Sequence, residues 1–420
     1  LYGSQSGCWE NCGVGRLKSP VLLVACFCTA LVLTLLGFMA PAAVLGEIIR
    51  DWQLSNAQAG WLGGALFAGY IVAVPVLTAY TDRIDPKRIY LTCAALGVIG
   101  NFGFGFVADG LWSGVLFRVM TGIGLAGTFM PGMKAMTDQL PAGKPQERGA
   151  TYYSSFFALG SGMSILVAGV MADLFDWRWA FGIAAAGGAS ALMIVALVLP
   201  AREPNVDARP PGAALDFRPV FRDRAVMSYV IASLGVAWEV FASRVWLVTF
   251  FLYLQSHLPA GETGWSPAVW STVVAFVGVP AAMLIGELAV RYDRRRILIG
   301  VAVISCALAI AIGLTVGEGY ELSLALCIVF GMFSYGRSPT TTAGTISVAD
   351  PSRRGSALAV QAFIGFSGGI LGPLAYGVAL DAAGGSGTAA AWAIAMCVMA
   401  IGPVLTVLAL ATMPRRAAKS

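Results

Sequence analysis

The sequence is poor in charge and nearly free of histidine. Asp, Glu, Lys and Arg make up 12% of its 420 residues, and the single histidine is His257. Soluble proteins carry about 25% charged residues. Hydrophobic residues make up 58% of the chain, and the mean hydropathy is +0.77. A water-soluble fold cannot hide so many apolar side chains while its surface stays short of charge. The composition therefore excludes a soluble globular protein and favours a lipid environment.

The sequence also lacks the patterns of several functional sites. It contains no nucleotide-binding loop of the form GxxxxGK[ST], and its eight cysteines form no dense disulfide framework. GxGxxG at 122–127 and GxSxG at 365–369 both lie inside apolar helical stretches, without the strand that such motifs require. The methionines at 130–136 are more typical of core packing than of a soft-metal site. We therefore expect no enzyme, no cofactor and no metal.

Twelve apolar stretches are long enough to cross a bilayer as helices. They lie near residues 20–46, 58–80, 89–108, 112–139, 149–173, 177–199, 226–256, 267–289, 296–316, 321–345, 355–381 and 389–413. Many of their connections are short, which favours helical hairpins. The predicted fold class is an all-α membrane protein with twelve transmembrane helices.

The basic residues are distributed unevenly between the two sides of these spans. If the N-terminus is inside, the inner segments hold 21 of the 27 Lys and Arg residues, whereas the outer segments hold only Arg50 and Arg178. The positive-inside rule then predicts that both termini are cytoplasmic. We expect a multi-pass protein of the cell membrane.

The chain divides into two halves that resemble each other. ERGAT at 147–151 matches RRGSA at 353–357, and each opens a glycine-rich helix that ends near Asp173 or Asp381. This match predicts an internal duplication, and a proline-rich interval separates six spans from six. The predicted domains are an N-terminal tail at 1–19, a six-helix bundle at 20–199, a linker at 200–225, a second six-helix bundle at 226–413 and a tail at 414–420.

Two loops in equivalent positions carry related charged motifs. TAYTDRIDPKR lies at 78–88 and GELAVRYDRRR at 286–296. Both resemble the cytoplasmic loop motif of the major facilitator superfamily, although Thr78 replaces its first glycine and Val290 takes the acidic position of the second copy. FRVMTGIG, which contains Arg118, and the Gly-Pro stretch GGILGPLAYG are similar to two further motifs of this family.

The resemblance implies two six-helix bundles that alternate about a central solute site. The expected partners are a small-molecule solute, a coupling ion such as H+ and the lipid bilayer, with no nucleic acid, and the expected state is a monomer. The motif also implies a cytoplasmic gate whose charges pair in one state and separate in the other. The gate residues are Asp82, Arg83, Arg88, Arg291 and Arg295. The alternative is that the basic residues only set the topology.

Charged residues within the spans carry the functional argument, because each costs about 2.5–3.5 kcal/mol at the bilayer centre unless a partner or cavity receives it. They are Arg118 and Lys134 in the fourth span, Glu239 and Arg244 in the seventh and Arg337 in the tenth. The duplication offset of 206 residues places Arg337 about one turn from the position of Lys134. We therefore expect Lys134, Arg337 and Arg244 to bind an anionic substrate.

Several alternatives remain at these positions. Lys134 precedes Asp138 by four residues and can form an intrahelical ion pair, and Arg337 can extend toward the interface. Glu239 is the expected proton-coupling group, although a basic neighbour would keep it ionised. Arg118 is assigned to proton coupling or to helix packing.

The predicted function is a secondary active transporter for a small, anionic solute. One alternative is a proton-driven exporter of drugs or metabolites, for which Glu239 rather than Lys134 is indispensable. An alternative of another class is a membrane scaffold or assembly factor that keeps the fold without transport.

Overall fold

The computed structural model describes residues 19–80, 84–141, 143–200, 217–258, 265–350 and 353–413, and contains no β-strand within these ranges. The helices, in chain order, are α1 (Pro20–Leu35), α2 (Ala40–Ala43), α3 (Leu45–Asp51), α4 (Asn56–Tyr80), α5 (Pro86–Phe106), α6 (Leu111–Thr137), α7 (Lys144–Leu174), α8 (Trp177–Val198), α9 (Arg218–Arg222), α10 (Arg224–Gln255), α11 (Pro267–Arg291), α12 (Arg294–Leu314), α13 (Tyr320–Gly336), α14 (Ser338–Val348), α15 (Arg354–Ala382), α16 (Ala389–Met399) and α17 (Ile401–Ala411). The predicted all-α class is confirmed.

Ten helical segments within the described ranges are long and apolar enough to cross a membrane. They are α4 to α8, α10 to α12, α15 and the pair α16–α17. The first predicted span is divided into α1, α2 and α3, and the tenth into α13 and α14. With these two divided spans, the helices follow the twelve predicted stretches.

Most of the predicted tails and linker lie outside the described residues. The structure leaves out residues 1–18, 201–216 and 414–420, and it places the short helix α9 inside the predicted linker. The domain boundaries therefore stay predictions, with α1 to α8 in the first half and α10 to α17 in the second.

The pair α16–α17 is also interrupted, so three spans are divided. In three of their four breaks, the helix that follows carries a proline in its first turn, namely Pro41 in α2, Pro339 in α14 and Pro403 in α17. Proline has no backbone N–H and its ring clashes with the preceding turn, so it favours the start of a new helix over the continuation of the old one. At the first break, the backbone carbonyl groups of Gly37 and Phe38 become available to a side chain in the interior.

The bundle has two different ends. α1 and α10 begin at one end, and α5 and α12 begin there as well, directly after the two charged loop motifs. We call this the basic end, because its connections hold most of the Lys and Arg residues. At the opposite end, α4 and α11 begin and α15 terminates.

The two halves contact each other from the opposite end to about the middle of the bundle. Gly60 of α4 lies against the backbone of Pro373 in α15, so closely that no side chain fits between the two helices. Deeper in the bundle, the ring of Phe67 in α4 stacks on Phe366 of α15 at 5.8 Å. Small residues thus allow α4 and α15 to pack along the outer part of their length.

Toward the basic end, the same helix faces are exposed. Gly162 of α7 packs against Phe276 of α11, but Ser155 and Thr151, seven and eleven residues earlier on α7, are exposed. On α11, Met283 follows Phe276 by seven residues and is 72% exposed. Residues at these spacings lie on one face of a helix. The molecule is therefore closed at the opposite end and open at the basic end.

We expect Gly60→Ala to destabilise the closed arrangement, because a Cβ at this position would lie 3.0 Å from the Cα of Leu374 and even nearer to the Pro373 carbonyl. Overpacking of this kind costs about 1–3 kcal/mol. Gly300→Ala in α12 is the matched control, since a Cβ there meets nothing within 4 Å. Thermal unfolding of the purified variants is the measurement. A Gly60→Ala protein as stable as Gly300→Ala would contradict the close contact.

Candidate functional site

A buried acid–base pair lies at the centre of the second half. Glu239 of α10 and Arg337, which lies between α13 and α14, are each 0% exposed. Oε2 of Glu239 forms an ion pair with Nη2 of Arg337, and the hydroxyl of Ser305 in α12 donates to Oε1. A Cβ built on Gly402 of α17 would lie 3.1 Å from Cβ of Glu239. Four spans therefore surround one carboxylate.

The two charges of this pair depend on each other. Removing one partner of a buried ion pair leaves an uncompensated charge, which typically costs about 3–5 kcal/mol. Nε and Nη1 of Arg337 are also buried and have no hydrogen-bond partner among the described residues. The carboxylate of Glu239 thus provides the compensation for the Arg337 guanidinium in the described structure.

The location of Arg337 corrects the expectation that it faces the central cavity opposite Lys134. Arg337 is enclosed within the second half, paired with an acid 98 residues earlier in the chain. Lys134 instead lies 3.6 Å from Asp138 on its own helix, with 38% of its side chain exposed. This is the intrahelical ion pair that its spacing allows. The structure does not bring the two cations together as one site.

Arg244 lies between the two halves and has no acidic partner among the described residues. Its Nη1 donates to the hydroxyl of Ser161 in α7, at 2.6 Å. The guanidinium carbon also lies 4.8 Å from the ring centre of Tyr335, whose hydroxyl is 3.1 Å from Oγ of Ser243. A hydroxyl and an aromatic ring stabilise a cation without neutralising it. Arg244 is partly exposed, and its Nε is buried without a hydrogen-bond partner among the described residues.

Arg118 stabilises the break in the first span. Its two terminal nitrogens donate to the backbone carbonyls of Gly37 and Phe38, both at 2.8 Å, and the residue is 1% exposed. The hydroxyl of Ser164 accepts a hydrogen bond from the backbone N–H of Met39 at 2.9 Å. These contacts satisfy backbone groups that the divided helix leaves unpaired. Of the two interpretations of Arg118, the structure supports helix packing.

A cluster of aromatic rings, which sequence reasoning did not identify, lies between the halves. Phe67 of α4 and Phe241 of α10 have ring centres 4.2 Å apart, and Phe38 lies 6.4 Å from Phe241 and 5.6 Å from Phe157 of α7. Phe366 of α15 completes the cluster, 6.2 Å from Phe241. These rings come from distant parts of the sequence, so no local pattern predicts the cluster.

The described gate residues contact their own half or solvent. Asp82 and Arg83 lie outside the described residues, and Arg88 is exposed. Arg291 pairs with Glu287 on the same helix at 2.7 Å. In a molecule that is open at the basic end, a gate at that end is expected to be separated, so its assignment stays a prediction.

Two basic residues of the loop motifs serve as equivalent helix caps. Arg295, at the start of α12, donates to the carbonyl of Ala411 at the end of α17, at 2.7 Å. Lys87, at the start of α5, donates to the carbonyls of Ala196 and Leu199 at the end of α8, the former at 2.8 Å. A cation at a helix C-terminus satisfies free carbonyls and the helix dipole. Each half thus uses its motif to join its third and sixth spans.

The fold and the distribution of charge define a helical membrane carrier. A family model described as Major Facilitator Superfamily matches residues 22–373 and 243–420, and the chain belongs to this superfamily. The family and the fold are those of transporters, not of enzymes.

Two curated relatives and one solved structure illustrate the similarity. Protein spinster homolog 1 of Homo sapiens is 25% identical over 276 residues, 62% of this chain and 50% of that protein. The sphingosine-1-phosphate transporter SPNS2 of Danio rerio is 21% identical over 376 residues, 83% of this chain and 73% of that protein. The match to the human protein thus spans half of its length. A bacterial homologue of the human lysosomal transporter Spinster, inward-facing and unoccupied, has a TM-score of 0.73 at 18% identity over 93% of this chain and 95% of its own.

Arg118→Gln is expected to destabilise the protein by about 1–3 kcal/mol, because a shorter, neutral side chain leaves the carbonyls of Gly37 and Phe38 unsatisfied in the interior. Arg88→Gln removes the same charge at an exposed position and is the control. Thermal unfolding in detergent measures the difference. Equal unfolding temperatures for the two variants would show that Arg118 does not hold the break in the first span.

Proposed function

We propose that the protein is a secondary active transporter that moves a small anionic solute by alternating access, with Glu239 coupling transport to protons. The observation that carries the anionic solute is the positive charge of Arg244, which lies at the junction of the halves and has a neutral hydroxyl as its partner. The opening at the basic end and the closure at the opposite end support alternation.

The position of Arg244 suits a solute that enters from the basic end. It lies 20 residues from the start of α10, which corresponds to about 30 Å along the helix axis. The guanidinium now donates to the uncharged hydroxyl of Ser161, and an anion at this depth can replace that hydroxyl with an opposite charge and a bidentate pair of hydrogen bonds. Lys134 lies near the basic end of α6, where Asp138 compensates its charge.

One relative supports the anionic charge of the solute. The zebrafish relative is named for sphingosine-1-phosphate, whose phosphate group is an anion. From this relative we infer only that the solute of the present protein carries negative charge.

Glu239 is proposed to bind the transported proton. Protonation of its carboxylate would remove the compensation of Arg337, whose charge would then have to find another partner. Arg337 lies at the junction of α13 and α14. When its side chain moves, α14, which runs from this junction toward the basic end, changes direction. A proton bound inside the second half can in this way change the relative stability of the two states.

The orientation in the membrane is part of the same proposal. We place the basic end, with both termini, on the cytoplasmic side of the cell membrane, and the distribution of Lys and Arg supports this orientation. The described state is then open to the cytoplasm. The exposed Arg88 and Arg291, the latter now paired with Glu287, are proposed to contact the other half when that end closes, which is the proposed role of the charged loop motifs. The transporter is proposed to act as a monomer.

Arg244→Gln is expected to abolish anion binding with little loss of stability. Thermal unfolding of the wild-type protein is measured with acetate, benzoate, nicotinate and inorganic phosphate, each against a neutral amide or sugar control. A ligand at a hundred times its Kd stabilises the bound state by about 2.7 kcal/mol, and this shift should be lost in Arg244→Gln and kept in Arg88→Gln. Stabilisation by neutral or cationic solutes alone would contradict the anionic solute.

Glu239→Gln imitates the protonated carboxylate and is expected to remove the proton dependence of the conformational equilibrium. The variant should lose about 3–5 kcal/mol of stability, because Arg337 stays charged in the interior. The double variant Glu239→Gln, Arg337→Met should recover much of this loss. The fluorescence of the tryptophans, which include the neighbouring Trp238, is followed as the pH is lowered. A wild-type protein without a pH-dependent change, or a Glu239→Gln protein that keeps the change, would contradict the coupling role.

A further inference from the structure

A carboxylate of the second half caps a helix of the first half at the closed end. Asp381 is the penultimate residue of α15, and α4 begins at Asn56. Oδ1 of Asp381 accepts from the backbone N–H of Asn56 at 3.0 Å and from its side-chain amide at 2.8 Å. Oδ2 accepts from the backbone N–H of Ala57 at 2.8 Å. One side chain thus makes three hydrogen bonds between the halves.

The electrostatics of a helix N-terminus make this contact favourable. The first N–H groups of a helix have no partner within it, and the helix dipole attracts negative charge to that end. An Asp at the N-cap usually lies next to the helix in sequence, whereas Asp381 lies 325 residues away. Ser55 and Gln58 already cap α4 locally, since the Ser55 hydroxyl accepts from the backbone N–H of Gln58 at 3.2 Å and Oε1 of Gln58 accepts from the backbone N–H of Ser55 at 2.9 Å. Separation of the halves at this end therefore leaves the N–H groups of Asn56 and Ala57 without their carboxylate partner.

The duplicated position in the first half makes no such contact. Asp173 ends α7 as Asp381 ends α15, but it is exposed, and no hydrogen bond to its carboxylate is found within the described ranges. The facing helix α11 begins with Pro267, which has no N–H to donate, and the side chain of Ser266 makes no capping hydrogen bond. The pseudo-symmetric pair α7–α11 thus packs without a carboxylate cap.

We propose that Asp381 is a latch that favours the state closed at the opposite end, and that opening of this end releases its carboxylate from α4. The inference rests on the alternation of the halves proposed above. It adds that the relative stability of the two states depends partly on one carboxylate at the closed end of the molecule. The latch and the solute site are separate, because Asp381 lies at the end of the bundle and Arg244 lies about 16 Å inside α10, eleven residues before its end.

Asp381→Asn is the direct test, because an amide keeps the size of the side chain but presents only one accepting oxygen. Hydrogen–deuterium exchange of the full chain in lipid nanodiscs is compared with that of the wild type. We expect roughly fivefold faster exchange at residues 55–65, from the ordinary worth of an N-cap, together with slower exchange at residues 144–155 and 283–291 as the basic end closes. Asp173→Asn, the matched control, should change neither region.

The slower exchange expected at the basic end distinguishes a latch from a local cap. Faster exchange confined to the first turn of α4 would mean that Asp381 only caps this helix, and it would overturn the proposal, as would an unchanged protein. Asn56→Ala removes one of the three bonds and should cause a smaller change of the same sign in both regions; it decides the matter if Asp381→Asn does not fold. The measurement uses no solute and no pH gradient, so its result is independent of the anion and proton experiments.

Discussion

The ion pair between Glu239 and Arg337 shows the constraint that organises this protein: a charge enclosed by apolar helices must be compensated where it lies. Arg118 meets the constraint with backbone carbonyls, and Lys134 meets it with Asp138 near the basic end. Arg244 is the exception, since hydroxyl and aromatic groups surround it without cancelling its charge. The exception lies between the halves, at the proposed solute site.

The breaks in the spans and the buried charges belong together. A broken helix exposes carbonyl groups and turns side chains away from the regular helical faces. At the first break, those carbonyls are the partners of Arg118, and at the tenth span Arg337 itself occupies the junction. A charged side chain at a junction is bound where the helix is already interrupted. The backbone can change direction there with little loss of helical hydrogen bonds. Changes in charge at such points can therefore move whole helices.

The sequence predicts some of these features and not others, for identifiable reasons. Hydropathy locates the spans because each must be apolar along its length, and the pairing of Lys134 with Asp138 follows from local helical spacing. The position of Arg337 does not follow from the duplication offset, because its partner Glu239 is a residue of the same half. Proline alone does not locate a break either, since Pro280 lies within the continuous helix α11. Pairing between distant residues requires the three-dimensional arrangement.

The strength of the contacts between the halves matters as much as their location. Two alternating states must differ by only a few kcal/mol if each is to be populated. Aromatic pairs and single hydrogen bonds are individually worth about 3 kcal/mol or less in net terms, so new contacts at the basic end can replace them. An acid in place of Ser161 would bind Arg244 as a buried ion pair, and its separation would cost several kcal/mol. A hydroxyl at this position therefore contributes to the contact between the halves and still allows them to separate.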